Sequence, residues 1–368
     1  MNVFIDYLLT AIPLGMTFLY GCVGEILTEK VGHLNLGIPG IMCIGGATGC
    51  LALSYLQNMG LPAFLVVIIA ILAAFAGGIV MGAIYCFLTV SLKSNQNVTG
   101  LAMTTFGVGT TKFIMSGLAG NGGMAYLYAR DYFRYPFAES TTSLKFCGVM
   151  VYLAVIIALA ASFVLSKTRV GLHLRAVGEN PATADAVGIN VTKYKYVATG
   201  IGSGIAALGG LFYIMDYSGS YEAYKSIEAL GWLSVALVIF TLWRPHISIL
   251  GSVVFGCLYL AGSHLPTLLG IKLDMSMTPL LQLLPYVVTI IVLIVTSVRN
   301  KRENQPPASL GLPYFREERL NSKKLFTFRT VCDILRIVRK IAFGGKTNEY
   351  IIIRLNSPSC GTYDDKSF

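Results

Sequence analysis

Nine hydrogen-bonding side chains interrupt the apolar runs of this 368-residue chain or stand at their edges: Asn35, Gln96, Asn97, Thr99, Thr104, Thr105, Lys112, Ser203 and Gln282. Such groups are costly in hydrocarbon, so they turn toward a bundle interior or a water-filled path. Asn, Gln and Thr suit a polar neutral solute, whereas rings of charge suit an ion. Asn35, Gln96, Asn97, Thr104 and Thr105 are therefore the expected contacts of a substrate path. Thr can instead bond its own helix backbone, and a Lys near a helix end snorkels to the interface. Fixed charge deep in the apolar runs reads as almost absent, which argues against an ion-coupled proton relay.

Other reactive residue types form no constellation. His33, His173, His246 and His264 stand singly, and the eight cysteines contain no CxxC, so neither a metal site nor a disulfide framework is expected. Gly344-Gly-Lys-Thr347 copies the tail of a phosphate-binding loop. Lys340 stands where its first Gly belongs, and no strand precedes it. The chain is expected to be no enzyme, with no catalytic residue, metal or cofactor of its own.

The elements that position these groups follow from composition. The chain is 55% hydrophobic and 12% charged, half the roughly 25% charge of a soluble domain, so lipid is its main solvent. A helix needs about 20 apolar residues to cross the bilayer. Runs at 3–23, 34–56, 62–91, 97–117, 146–166, 195–215, 229–243, 247–270 and 277–297 meet or approach this. The expectation is an all-α polytopic membrane protein with about nine transmembrane helices. The first run lacks the basic flank and cleavage site of a signal peptide and is expected to be retained. Lys30, Lys93, the cluster from Lys167 to Lys195, Arg244 and Arg299–Arg302 then fall on one side. By the positive-inside rule that side is cytoplasmic, which puts the N-terminus outside and the C-terminus inside. Close-packing glycines at 45/49, 78/82, 200/204 and 209–210 mark helix–helix faces.

Charge divides the chain. Residues 1–298 hold 14 Lys/Arg against 11 Asp/Glu, while residues 299–368 hold 14 against 7. The basic excess belongs to the tail and points to lipid headgroups, with no nucleic acid implied. The expected domains are a membrane domain at 1–300 and a cytoplasmic linker and basic tail at 301–368. Asn304–Pro313 reads as extended linker, and Phe328, Val331, Leu335, Val338 and Ala342 share one helical face beyond it.

One long polar segment lies between the apolar runs. Asn180 is a good N-cap, Pro181 fits the first helical position, and Gly188 can supply a left-handed stop. A capped helix this short is marginal alone in water and needs a partner surface.

Gly171-Leu-His-Leu-Arg-Ala-Val-Gly-Glu-Asn-Pro-Ala-Thr-Ala-Asp-Ala-Val-Gly-Ile189 resembles the coupling loop of ABC importer permeases of the ribose and nucleoside type. Gly24–Gly40 is similar to the family's entry to its second span, with Pro39 where an acidic residue is common. Asn95–Gly100 and Pro307–Arg319 resemble the nucleoside branch. The likeness covers about residues 1–319. It implies a transmembrane permease subunit, for nucleosides, driven through Arg175, Glu179, Asn180, Pro181, Ala182, Ala184 and Gly188 by separate ABC ATPase subunits that bind ATP and Mg. It also implies a second permease chain, identical or homologous, and an external solute-binding protein, all at the cell membrane. The alternative on the residues alone is an ATP-independent secondary transporter or channel for a small polar solute such as a sugar or amino acid.

Overall fold

The computed structural model describes residues 3–56, 59, 61–119, 148–269, 283–299 and 305–315. Gln282 and the amphipathic stretch at 328–342 lie outside them. All regular structure among the described residues is helical: α1 Val3–Lys30, α2 Ile38–Leu56, α3 Ala63–Cys86, α4 Gln96–Ala119, α5 Val149–Lys167, α6 Arg169–Glu179, α7 Pro181–Ala186, α8 Val191–Phe212, α9 Ile227–Phe240, α10 Pro245–Leu269 and α11 Leu284–Arg299. Wider π-turns extend α3 through Phe87–Ser91 and α8 through Tyr213–Ser218.

Among the described residues, six segments are long and apolar enough to cross a membrane: Tyr7–Lys30, Ile38–Leu56, Phe64–Ser91, Val149–Lys167, Val191–Ser218 and Glu222–Phe240. Of the three other expected spans, the one carrying α4 falls short in apolarity, while those carrying α10 and α11 extend beyond the described residues. α4 has the length, but its threonines and Lys112 lower its apolarity.

The core is built on α8, whose apolar window is 78% buried, against 28% for α3. α8 packs on α1, α2 and α3, as α1 does on α10. Small residues make this approach possible, since helices in lipid associate by backbone contact. Gly45 lies on the backbone of Ala207, and Gly78 and Gly82 lie on Ser203. α3 and α5 turn Phe64, Leu72, Ile156 and Phe163 outward, as lipid-facing helices do. Pro39 begins α2 and packs against Gly231 of α9.

α1 runs seven residues past its expected end at 23. Gly32, at φ +84°, stops it. The Gly32 N–H donates to Glu29 O (2.8 Å) and the His33 N–H to Thr28 O (3.2 Å), the paired bonds of a left-handed helix cap. The extension buries Glu25 and Glu29, and Lys195 and Asp216 are buried within Val191–Ser218, so the expectation of almost no ionisable group inside the spans is corrected at these four positions.

By contacts the chain divides into Met1–Tyr314 and Phe315–Phe368. Residues 305–314, which sequence reading assigns to the linker, belong with the first unit.

Candidate functional site: a capped polar finger and a polar cavity

Three caps in succession shape the polar segment. Thr168 Oγ1 accepts from the Gly171 N–H (3.1 Å) and starts α6. Asn180 Oδ1 accepts from the Thr183 N–H (3.0 Å), with Pro181 following, and starts α7. Asn190 Oδ1 accepts from the Lys193 N–H (3.0 Å) and starts α8. Between the last two, Gly188 at φ +88° ends α7: its N–H donates to Asp185 O (3.1 Å) and that of Ile189 to Ala184 O (3.0 Å). The expected single helix is thus a pair, α6 and α7, joined at Asn180. Sequence reading missed α6 because its start signal, Thr168, sits directly behind the preceding span.

The pair has two faces. Gly171, Leu174, Val177, Gly178 and Ala184 are buried, while Arg175, Glu179, Asn180 and Gly188 are exposed and Pro181 and Ala182 are half-buried. Ala184 therefore faces the bundle. Three apolar residues without a role in the sequence reading are exposed, Val170 at 55%, Leu172 at 57% and Val187 at 71%. His173 Nδ1 and Tyr194 Oη lie 2.8 Å apart and tie α6 to α8.

A knot of backbone ties holds the inner face. The α1–α2 turn, residues 31–37, is grasped on every side. Tyr85 Oη donates to Leu34 O (2.6 Å), Gln96 Oε1 accepts from the Leu34 N–H (2.9 Å), Glu25 Oε1 accepts from the Asn35 N–H (3.1 Å), and Thr104 Oγ1 donates to Leu36 O (2.8 Å). His33 Nδ1 lies 3.1 Å from Thr199 Oγ1. Burial, reinforced by nearby Lys195, holds the His33 imidazole well below its usual range, so it is neutral. Gly178 presses on the carbonyl of Lys30, leaving no room for a Cβ. Residues 305–314 cross this junction as a strap. The Ser309 N–H donates to Gly178 O (3.0 Å), the Ser309 hydroxyl donates to the same oxygen, and Tyr314 Oη donates to Asp185 Oδ2 (3.2 Å).

The α9–α10 turn joins the same end. Leu242 and Trp243 both adopt positive φ, 54° and 55°, at a cost of about 1–2 kcal/mol each. The Trp243 indole N–H donates to Glu29 Oε2, which fixes the turn against α1. Lys30 feels the charges of Glu179, Arg175 and Arg244, so α6 and this turn share one electrostatic neighbourhood.

The expected path residues separate in space. Asn35, Gln96 and Thr104 are buried in the knot. Asn97 and Thr105 are exposed on α4, where Thr105 Oγ1 donates back to Leu101 O (3.1 Å). Thr99 pairs with Ser94 at 2.8 Å, and buried Ser203 receives Gly82. Lys112 lies sixteen residues after Gln96, about 24 Å along the helix. It lines a cavity of about 260 Å³ with Cys43, Val108, Thr111, Tyr224, Lys225 and Glu228. Thr111 Oγ1 is buried there without a partner among the described residues. Lys225 is paired with Glu222 at 2.9 Å. Tyr224 and Glu228 escaped sequence reading because they precede a short span and read as loop.

Among the described residues no group of three or more His, Cys, Asp or Glu could hold a metal ion. The arrangement offers a rigid outward finger at one end and a mixed-charge, hydroxyl-lined cavity far from it.

Residues 1–295 match the family described as branched-chain amino acid transport system / permease component. The putative glucose ABC transporter permease protein TsgC13 of Haloferax volcanii is 32% identical over 64% of this chain and 70% of its own. The nucleoside ABC transporter permease protein NupC of Lactococcus lactis is 30% identical over 75% of this chain and 87% of its own. The guanosine ABC transporter permease protein NupQ of Bacillus subtilis is 29% identical over 85% and 96%. No solved structure matches the chain.

Proposed function

Because the chain belongs to the branched-chain amino acid transport system / permease component family, we propose that it is the membrane-crossing subunit of an ATP-driven ABC importer whose cargo is a nucleoside. The observation that carries the mechanism is the finger of α6 and α7, capped at three points and strapped to the α1–α2 turn. The cargo reading is supported by NupC and NupQ, which align along 87% and 96% of their own lengths.

In this reading the finger lies in the cytoplasm, with the N-terminus outside. Arg175, Glu179, Asn180, Pro181, Ala182 and Gly188 present it to a separate ATPase subunit, with Leu172 and Val187 as apolar anchors and Ala184 seating it on the bundle. That partner binds ATP and Mg; this chain holds neither. Two ATPases, a second permease chain and an external binding protein complete the importer. ATPase closure pushes α6, which packs on α1, α5 and α8, and rocks those helices between two packings. The solute follows the outward line of α4 from Lys112 and its cavity past Thr105 to Asn97. Asn35, Gln96 and Thr104 serve it by fixing where α4 begins.

Proteoliposomes with the assembled importer test this. ATP-dependent guanosine uptake is expected, with glucose as competitor, since TsgC13 favours a sugar as the second reading. Arg175→Ala with Glu179→Ala should cut uptake and ATPase association at least tenfold. Uptake by this chain alone without ATP, or full uptake by the double variant, would overturn the assignment.

A further inference from the structure

A second concavity lies at the finger end, outside the solute route. It is a slot of about 590 Å³ between α1, α5, α6 and α8. Leu27, Leu174 and Ile205 form its buried floor, while Val164, Val197 and Ile201 stand exposed as its walls. Its chemistry is graded along its length. Lys193 is the one charged group among its lining residues, and it sits at the end where α6 and α8 meet. The only other polar side chain there, Tyr194, is already engaged by His173 at 2.8 Å. From Lys193 to Ile205 the slot follows α8 for about 18 Å at about 1.5 Å per residue. One leaflet of hydrocarbon is about 15 Å deep, half of about 30 Å.

An apolar slot of leaflet depth with a cation at its surface end has the polarity of an amphiphile. We infer that this slot holds one acyl chain of an anionic phospholipid, with the headgroup phosphate at Lys193. A neutral polar solute would find no hydrogen-bonding wall. A zwitterionic lipid would bring its own cation toward Lys193 and gain less, because basic pockets at a membrane surface select negative headgroups. Val170 and Leu174 belong to α6, so the lipid tail touches the finger itself. The slot is thereby a lipid contact on the moving part.

Native mass spectrometry of the full-length chain tests this, with phosphatidylglycerol or phosphatidylcholine of identical acyl chains added in detergent. The wild type should retain one phosphatidylglycerol with about tenfold preference over phosphatidylcholine. Lys193→Ala should abolish that preference. Ile201→Trp, which fills the slot, should reduce retention of both lipids, and Val197→Phe serves the same purpose should that variant fail to stay monodisperse. Lys167→Ala, a cation at the end of α5 that does not line the slot, should keep the preference. Preserved preference in Lys193→Ala, equal loss in Lys167→Ala, or undiminished retention in both slot-filling variants would overturn the site. So would a dimer of this chain that forms only as lipid leaves, because a second copy would then be the occupant.

Discussion

The two ends of α4 are built on opposite principles. At its start, Gln96 and Thr104 are spent on backbone atoms of the 31–37 turn, and the strap reaches the same junction. Toward its other end, Lys112 and Thr111 border a cavity, and Gly109 and Gly117 touch nothing within 4 Å of where a Cβ would stand. The first region is a joint that holds the finger at a fixed angle. The second has room and unspent hydrogen-bonding capacity. Polar residues of one type thus do different work, and the bonds already made distinguish the two. A hydroxyl whose proton goes to a neighbouring turn has little left for a solute.

The largest expected effect comes from crowding the joint. Gly178→Val drives a side chain into the Lys30 carbonyl, and overpacking of this kind costs about 1–3 kcal/mol. Thermal unfolding in detergent should show the loss. Uptake should fall with it, because the finger loses its seat. A variant as stable and active as the wild type would break the joint half of the comparison.

The cavity half is sharpened by Lys112→Ala and Glu228→Gln. Both are expected to raise the KM for guanosine uptake about tenfold, about 1.4 kcal/mol of binding, while stability shifts by less than about 0.5 kcal/mol. Equal KM values would show that the solute passes elsewhere.

Ser309→Ala comes next. It removes the hydroxyl bond to Gly178 O and leaves the Ser309 N–H bond in place, a loss of about 1 kcal/mol. Hydrogen exchange at the start of α7 should rise in this variant and stay unchanged in Lys112→Ala.

The smallest effect is one of pH. His33 is buried neutral and titrates well below its usual range, so the unfolded chain binds its proton first as pH falls through about 6.5. Stability should therefore decline with acid below that point, with burial first and Lys195 second in resisting a charged ring. His33→Gln should flatten this slope of unfolding temperature against pH. A variant with the wild-type slope would remove His33 from the joint's energetics.

Much of this was legible in the residues. Apolar length announced the helices, Asn180, Pro181 and Gly188 announced α7, and the coupling-loop resemblance placed the family. Three things were hidden. Gly32 ends α1 as Gly188 ends α7, yet reading apolarity alone stopped the helix at 23 and left Glu25 and Glu29 in a loop. Ser309 looked like linker because its partner, Gly178 O, lies 131 residues away. The cavity joins α2, α4 and the start of α9, so its residues share no local pattern.

The account turns on which side of the membrane the exposed tip of the finger meets, and on what it touches there. In a background with Cys147, Cys257, Cys332 and Cys360 changed to Ser, Val187→Cys should react with an impermeant maleimide only after the cells are opened. Co-expression with the ATPase should then shield it. Reaction on sealed cells, or no shielding by the ATPase, would contradict the lever.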